Sequence, residues 1–575
     1  DAVMFRPAPE RGAPTGAAGE VTTRCAGSAS GHLATAPILA DAAAAGRTAA
    51  AAAGASPQAE ARVPAVVEVA EAPLEPHWFS PSTGKYVHGT KHFVDFQNDV
   101  TAADVMLAAR EGYESVEHTK RYTTLGMATD QGKTSNINGL ALLAEQLGLT
   151  IPEVGTTTFR PPYTPISLGA IAGSAKGSLF KPTRKTAMDD WHAANGAEFE
   201  PVADWRRPYR YKRGGEHREA SVAREVRNAR QHVGILDAST LGKIMVAGPD
   251  AGRFLDRVYT NMMSSLKVGR CRYGLMCNEN GFLMDDGVVA RLGDDRFLCH
   301  TTTGGSDRIH AHLEEWLQTE WWDLQVHTVN VTEQWAQVAV AGPNARTLIE
   351  AIGTDIDISA EALPFMSWTE GTVAGCPARL FRISFSGELG FEIAVPAAQG
   401  MQLWTALLER GEALGVMPYG TEALHVMRAE KGFIMIGDET DGTVTPQDLG
   451  LSWAVSKKKE DFVGKRAQSR VDLARPGRKQ LVGLLTENPA ERLPDGAHAV
   501  KRLRDKAPMK TIGHVTSTYH SPTLGRSIAM ALIEDGKRLM EEEAVLTFPL
   551  EGGTVMRARC VDPVFYDREG ERLHA

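Results

Sequence analysis

The stretch NENGFLMDDGVVARL, Asn278 to Leu292, places two aspartates side by side at the head of an apolar run. A carboxylate in such company can move a proton or steady a nearby cation, because loss of water raises its pKa toward neutrality. The flanking RYGLMC and MDDGVVARL read as strands joined through the NENG turn. Successive strand side chains point to opposite faces, so Asp285 and Asp286 cannot both serve one site. Alternation puts Asp286 with Met284, Val288 and Ala290, and Asp285 with Gly287, Val289 and Arg291. The more apolar company marks the Asp286 face as the desolvated one, where an acid must be paired or protonated. The plainer alternative leaves both aspartates solvated or salt-bridged beside the turn.

Other chemistries lack their residues. Cys25, Cys271, Cys277, Cys299, Cys376 and Cys560 form no CxxC pair, which argues against a zinc ribbon, an iron–sulfur run or a disulfide framework. His118, His232 and His300 stand alone without metal-ligand spacing, so no metal site is expected. There is no GxSxG elbow for a Ser–His–Asp site. Lys457, Lys458 and Lys459 read as a solvated turn.

The elements that must position these residues follow from pattern. CAGSASG leads into an alanine-rich helix that reads as the last helix of a domain, and a Pro/Ala/Glu-rich linker follows. From Asp95 to Leu149 the pattern is helical, with Thr101 as N-cap, one face at Val105, Ala108 and Ala109, and a second helix near Asn136 to Leu147. TTTFRPPYTP should run extended, since its paired prolines fit neither helix nor central strand. The block from Trp191 to Arg466 alternates helices such as PDAGRFLDRVY with strands such as RFLCHTTT and ARLFRISFS. From Lys479 onward, short strands at regular spacing suggest a small β-barrel. The fold class is therefore α+β multidomain. The expected divisions are 1–60, the end of a domain; 61–90, a linker; 91–165, a small helical domain; 166–470, the central domain; and 471–575, the barrel.

Bulk properties narrow the partners. At 575 residues the chain needs several cores. A net charge of -9 spread along it argues against nucleic acid or a membrane surface. No apolar run reaches membrane-helix length, and the acidic DAVMF start lacks a signal peptide's features, so a cytoplasmic location is expected. A first residue other than Met suggests a fragment or a processed product.

VGILDAS, the pair Thr260 and Asn261, NENGFLMDDGVV, SFSGELGFEIAVP, MRAEKGF, GDETDGTVTPQDLGLSW and VTSTYHSPTLGRSIAMA occur in one order. Together they resemble the folate-binding aminomethyltransferase (glycine-cleavage T-protein) family. FVDFQNDVTAADVMLAAREGYESVEHTKRYTTLGMATDQGKTSN resembles a segment of the alpha subunits of heterotetrameric sarcosine oxidases, which end in a T-protein-like part. The resemblance implies that 1–60 are the tail of a dinucleotide-binding domain and 166–470 a T-protein-like folate-binding domain; it also implies an upstream GxGxxG, absent here, so the chain is expected to be incomplete and NAD to bind only the full-length subunit.

Carried over residue by residue, Asp286 falls on the acid beside the reactive nitrogens of tetrahydrofolate, and Glu392 on the acid that accepts from the pterin edge. Tyr273 and Asn261 fall on positions lining the folate cavity, and Arg526 is a candidate cavity-side cation. Arg428 and Glu430 read as an ion pair at a helix. Where the family places an arginine against the folate glutamate tail, this chain has Leu424, which leaves Arg253 or Arg382 to serve.

The function implied is that of the alpha subunit of a sarcosine oxidase-type hetero-oligomer, with FMN and FAD on or shared with partner subunits, including a flavin-bearing beta subunit. Sarcosine is oxidised there, and the imine meets tetrahydrofolate in this chain, giving glycine and methylenetetrahydrofolate, while reoxidation of the reduced flavin by oxygen yields hydrogen peroxide. Asp286 acts as base or counter-charge. The rivals are a self-contained aminomethyltransferase, against which the helical block argues, and a non-catalytic folate-binding or assembly subunit.

Overall fold

The computed structural model describes residues 25–56, 62–69, 72, 75–80, 91–161, 164, 166–506 and 508–575. The DAVMF start, much of the expected linker, and Pro162, Tyr163 and Pro165 of the proline-rich stretch lie outside them. The chain divides into two units, residues 1–171 and 172–575.

In the first unit, the alanine-rich run forms the helix Thr35–Ala52. The expected N-cap is realised: Thr101 and Asp104 form a capping box at the head of Ala102–Arg110, satisfying two backbone donors that the first turn cannot pair. Val105, Ala108 and Ala109 are buried as one face. The helical pattern is not continuous. It breaks at Gly112, whose φ of 93° ends the first helix before Val116–Thr123 begins. Asn136–Leu147 follows and packs Leu140, Leu142 and Leu143 into the same core as Val105.

Besides a two-stranded hairpin and a barrel, the described residues of the second unit form two larger sheets. One orders its strands His327–Asn330, Gly242–Ala247, Arg296–Thr301, Leu283–Gly293 and Cys271–Cys277. The other runs Ser367–Val373, Cys376–Arg382, Gly390–Pro396, Trp335–Ala341, Val233–Asp237 and Val416–Pro418, with only the last pair parallel. Cys271, Ala290 and Leu298 of the first sheet meet Trp368, Phe381 and Ala394 of the second, so the sheets pack face to face. Their outer faces carry helices: Ala251–Val258 and Ser306–Thr319 cover the first sheet, Ala345–Ile352 and Gly400–Gly411 the second.

Residues 479–561 close a six-stranded barrel, as the regular short strands predict. Leu481, Ile528, Met530 and Leu532 of the barrel share a core with Leu275 and Leu283 of the first sheet and Ala429 of the helix Thr421–Glu430.

Three expectations are corrected here. Arg428 and Glu430 do not pair with each other: Arg428 binds Glu439 at 2.6 Å and Asp438 at 3.0 Å, while Glu430 holds Arg230 at 2.6 Å. Two residues apart on a helix, the side chains diverge and find separate partners. Lys459 is not part of a solvated turn. Its ammonium is buried on the carbonyls of Tyr259, at 2.5 Å, and Asn261, at 3.0 Å, and burial pushes it down to about 8, while Lys457 and Lys458 stay exposed. Met284 leaves the face assigned to it. Cys277 pairs with Leu283 but Met276 with Asp285, so a bulge at Met284 turns it toward the helix-side core.

Candidate functional site

Beyond the bulge, alternation holds. Val289 packs among the helix-side residues, and Ala290 between the sheets. Asp285 thus points toward the helices and Asp286 into a cavity of about 1430 Å³ whose walls come from both sheets. Both acids are desolvated, contrary to the expectation for one face alone: Asp285 is fully buried. It accepts from the backbone N–H of Asp286 at 2.9 Å and the Thr302 hydroxyl at 3.2 Å, a structural role in clamping the loop after Thr301. Burial raises its pKa against those bonds.

Asp286 receives a hydrogen bond from the Tyr273 hydroxyl at 2.5 Å. The register explains the contact: Tyr273 pairs with Val288 and Leu275 with Asp286, which makes Tyr273 and Asp286 diagonal cross-strand neighbours. Burial pushes Asp286 up to about 7; the Tyr273 bond opposes the rise and the Asp285 charge adds to it. Asn261 donates to the Tyr273 carbonyl at 2.6 Å, leaving its buried Oδ1 without a partner. Trp453 sets its ring 5.9 Å from that of Tyr273.

Glu392 lines the same cavity from the other sheet. Gln337 is its diagonal cross-strand neighbour and donates to Oε2. Burial raises the Glu392 pKa, opposed by Gln337 and by the Lys243 charge. Lys243 is fully buried, donates to the carbonyls of Leu241 at 2.8 Å and Ser239 at 3.1 Å, and is pushed down to about 8 by burial. His300, on the cavity wall, meets the Val288 carbonyl at 3.0 Å through Nδ1; burial, then the Lys243 charge, pushes it down to about 4. Its Nε2 is buried without a partner, as are Gln337 Oε1 and Arg207 Nε.

The cavity therefore gathers Asp286, Glu392, Tyr273 and Asn261, and leaves Arg526 out. Arg526 opens a barrel strand, and its guanidinium turns back to the Thr486 carbonyl at 2.8 Å. Neither Arg253 nor Arg382 lines it either. Arg253 is exposed on the helix Ala251–Val258, and Arg382 is buried on the carbonyls of Gly390, Leu573 and Ala575. Lys243 and Gln337 escaped the sequence reading although each left a signal, a lone polar residue inside an apolar strand run. Arg207 left none. Among the described residues no group of three or more His, Cys, Asp or Glu could hold a metal ion, and no helix is long and apolar enough to cross a membrane.

Both the sheet-bearing part of this unit and its barrel match known families. The GCVT N-terminal domain model matches residues 188–459 and the glycine cleavage T-protein C-terminal barrel domain model matches 479–567. An aminomethyltransferase from Thermotoga sp. (strain RQ2) is 31% identical over 390 residues, covering 67% of this chain and 98% of that protein. The crystal structure of glycine cleavage system aminomethyltransferase T from Bartonella henselae aligns with a TM-score of 0.58 at 26% identity, covering 67% of this chain and 98% of that one. The chain belongs to the aminomethyltransferase (glycine-cleavage T-protein) family.

A narrower likeness extends further along it. The sarcosine oxidase A3 domain model matches residues 89–174. Sarcosine oxidase subunit alpha from Corynebacterium sp. (strain U-96) is 48% identical over 553 residues, covering 95% of this chain and 57% of that subunit. The Rhizobium meliloti (strain 1021) subunit alpha is 46% identical over 490 residues, covering 84% of this chain and 49% of that subunit. The chain thus spans about half the length of these curated relatives.

Proposed function

We propose that this chain is the folate-binding part of the alpha subunit of a sarcosine oxidase-type complex. The observation that carries the reading is one cavity lined by two raised-pKa acids, Asp286 from one sheet and Glu392 from the other. Its volume, about 1430 Å³, leaves room for a ligand of pterin, benzoyl and glutamate, since pockets of roughly 300–1,000 Å³ already bury ligands of that size. The unpartnered Asn261 Oδ1 and Gln337 Oε1 fit a ring rich in N–H donors.

Tetrahydrofolate supplies the nitrogens that accept the one-carbon unit. Asp286, poised near neutrality with one oxygen fixed by Tyr273, takes up a proton or offsets a developing positive charge. Glu392, held by Gln337 and faced by the Lys243 charge, accepts from the amino and amide N–H edge of the pterin. Asn261 holds the Tyr273 strand in place. Sarcosine oxidation at a flavin on a beta subunit, release of glycine and methylenetetrahydrofolate, reoxidation of that flavin by oxygen to give hydrogen peroxide, NAD in the full-length subunit and a cytoplasmic location all belong to this proposal. The match of residues 89–174 to a sarcosine oxidase domain favours it over a self-contained aminomethyltransferase.

Calorimetric titration with tetrahydrofolate tests it. Wild type binds in the micromolar range, and Glu392→Ala weakens binding tenfold or more, the size of a lost charge-assisted hydrogen-bond pair. Equal affinity in the two proteins overturns the assignment. A non-catalytic subunit is recognised by Asp286→Asn leaving methylenetetrahydrofolate output unchanged in the reconstituted complex.

A further inference from the structure

Four basic side chains line the cavity besides its histidines: Arg207, Arg272, Arg308 and Lys458. Three have other company. Arg272 donates to the Met262 carbonyl and to Ser265, Arg308 to the Met284 carbonyl at 2.8 Å, and Lys458 stands in solvent. Arg207 differs. It is only 9% exposed, and among the described residues its side chain makes no hydrogen bond or ion pair. Its Nε is buried and unpartnered. Burial lowers its pKa, with the Glu200 and Asp237 charges opposing, and an arginine side chain is a guanidinium throughout the neutral range. A buried cation without a hydrogen-bonded partner is costly, and a site tolerates it where an anion arrives with the ligand.

The hairpin Ala197–Val202 and Trp205–Tyr211 fixes where Arg207 sits. Glu200 pairs across it with Arg207, and the Thr421 hydroxyl holds the Glu200 carboxylate at 2.5 Å. Leu424 lies one helical turn beyond Thr421 and lines the same cavity. Arg207 therefore stands on the wall beside the helix position that lacks a cation. We infer that Arg207 is the carboxylate anchor of this cavity, binding its ligand's carboxylate through the forked N–H donors that suit a planar two-oxygen group. The carboxylate comes either from the glutamate of a folate or from the amino acid handled beside it. The inference rests on the cavity being the ligand site, and its first arm on folate being the ligand.

Calorimetry on the 575-residue chain, wild type and Arg207→Met, with tetrahydrofolate, tetrahydropteroate and glycine as probes, decides it. Loss of roughly 10- to 100-fold in tetrahydrofolate affinity, with tetrahydropteroate unaffected, supports anchoring of the glutamate. Unchanged folates with glycine binding lost supports anchoring of the amino acid. In the first case Arg207→Met/Leu424→Arg recovers the preference for tetrahydrofolate over tetrahydropteroate. Equal weakening of every probe, or of none, overturns the inference. Wild type that binds neither folate sinks the folate reading by itself, and the glycine arm still judges Arg207.

Discussion

Asp286→Asn should stabilise the protein at neutral pH while removing its chemistry. The carboxyl rises from an ordinary 3.8 to about 7, close to three units, and each unit is worth about 1.4 kcal/mol. Asp286 keeps partial exposure to solvent, which screens part of this, so the penalty carried by the ionised form is about 2–4 kcal/mol. Its sign follows from proton counting. Between about pH 4 and pH 7 the folded chain holds a proton here that the unfolded chain has released, so stability falls as pH rises through that window and levels off above it. An asparagine carries no such proton, and its amide oxygen still accepts from Tyr273. The variant should match wild type near pH 4 and exceed it by about 2–4 kcal/mol near pH 8. Urea denaturation followed by tryptophan fluorescence at several pH values measures the difference, in which contributions from other parts of the chain cancel. A stability difference that does not change with pH, or an asparagine variant less stable at pH 8, would refute the claim that this cavity raises the acid.

Two further outcomes follow from packing. Arg230→Met leaves Glu388 and Glu430 buried beside each other without the guanidinium that spans them, at 2.8 and 2.6 Å, and should cost about 3–5 kcal/mol in urea denaturation. A loss below about 1 kcal/mol would show that Arg572, 3.0 Å from Glu388, suffices. Gly287→Ala sets a Cβ 1.9 Å from the His300 carbonyl oxygen, backbone that cannot yield without parting two strands of the first sheet. It should cost at least about 2 kcal/mol and lower the thermal midpoint, and an unchanged midpoint would contradict the close approach.

Local pattern alone carried a good deal. Thr101 announced a helix start because a hydroxyl three residues before an acid meets the free donors of the first turn wherever the helix lies. Asp286 could be separated from Asp285 because the strand period is two, and the barrel because short apolar runs recur between turns. Even there, the bulge at Met284 moved one residue to the other face, since a bulge depends on what the partner strand offers. The partners came only with the tertiary structure. Gln337 finds Glu392 across 55 residues, Arg230 finds Glu430 across 200, and Arg526 and Lys459 turn to backbone carbonyls that no neighbouring residue foretells. Period and propensity determine which way a side chain points from its own strand or helix. Which charge it faces, and whether water reaches it, is decided when distant faces close over it, and those two quantities set the chemistry of Asp286 and the unpaired state of Arg207.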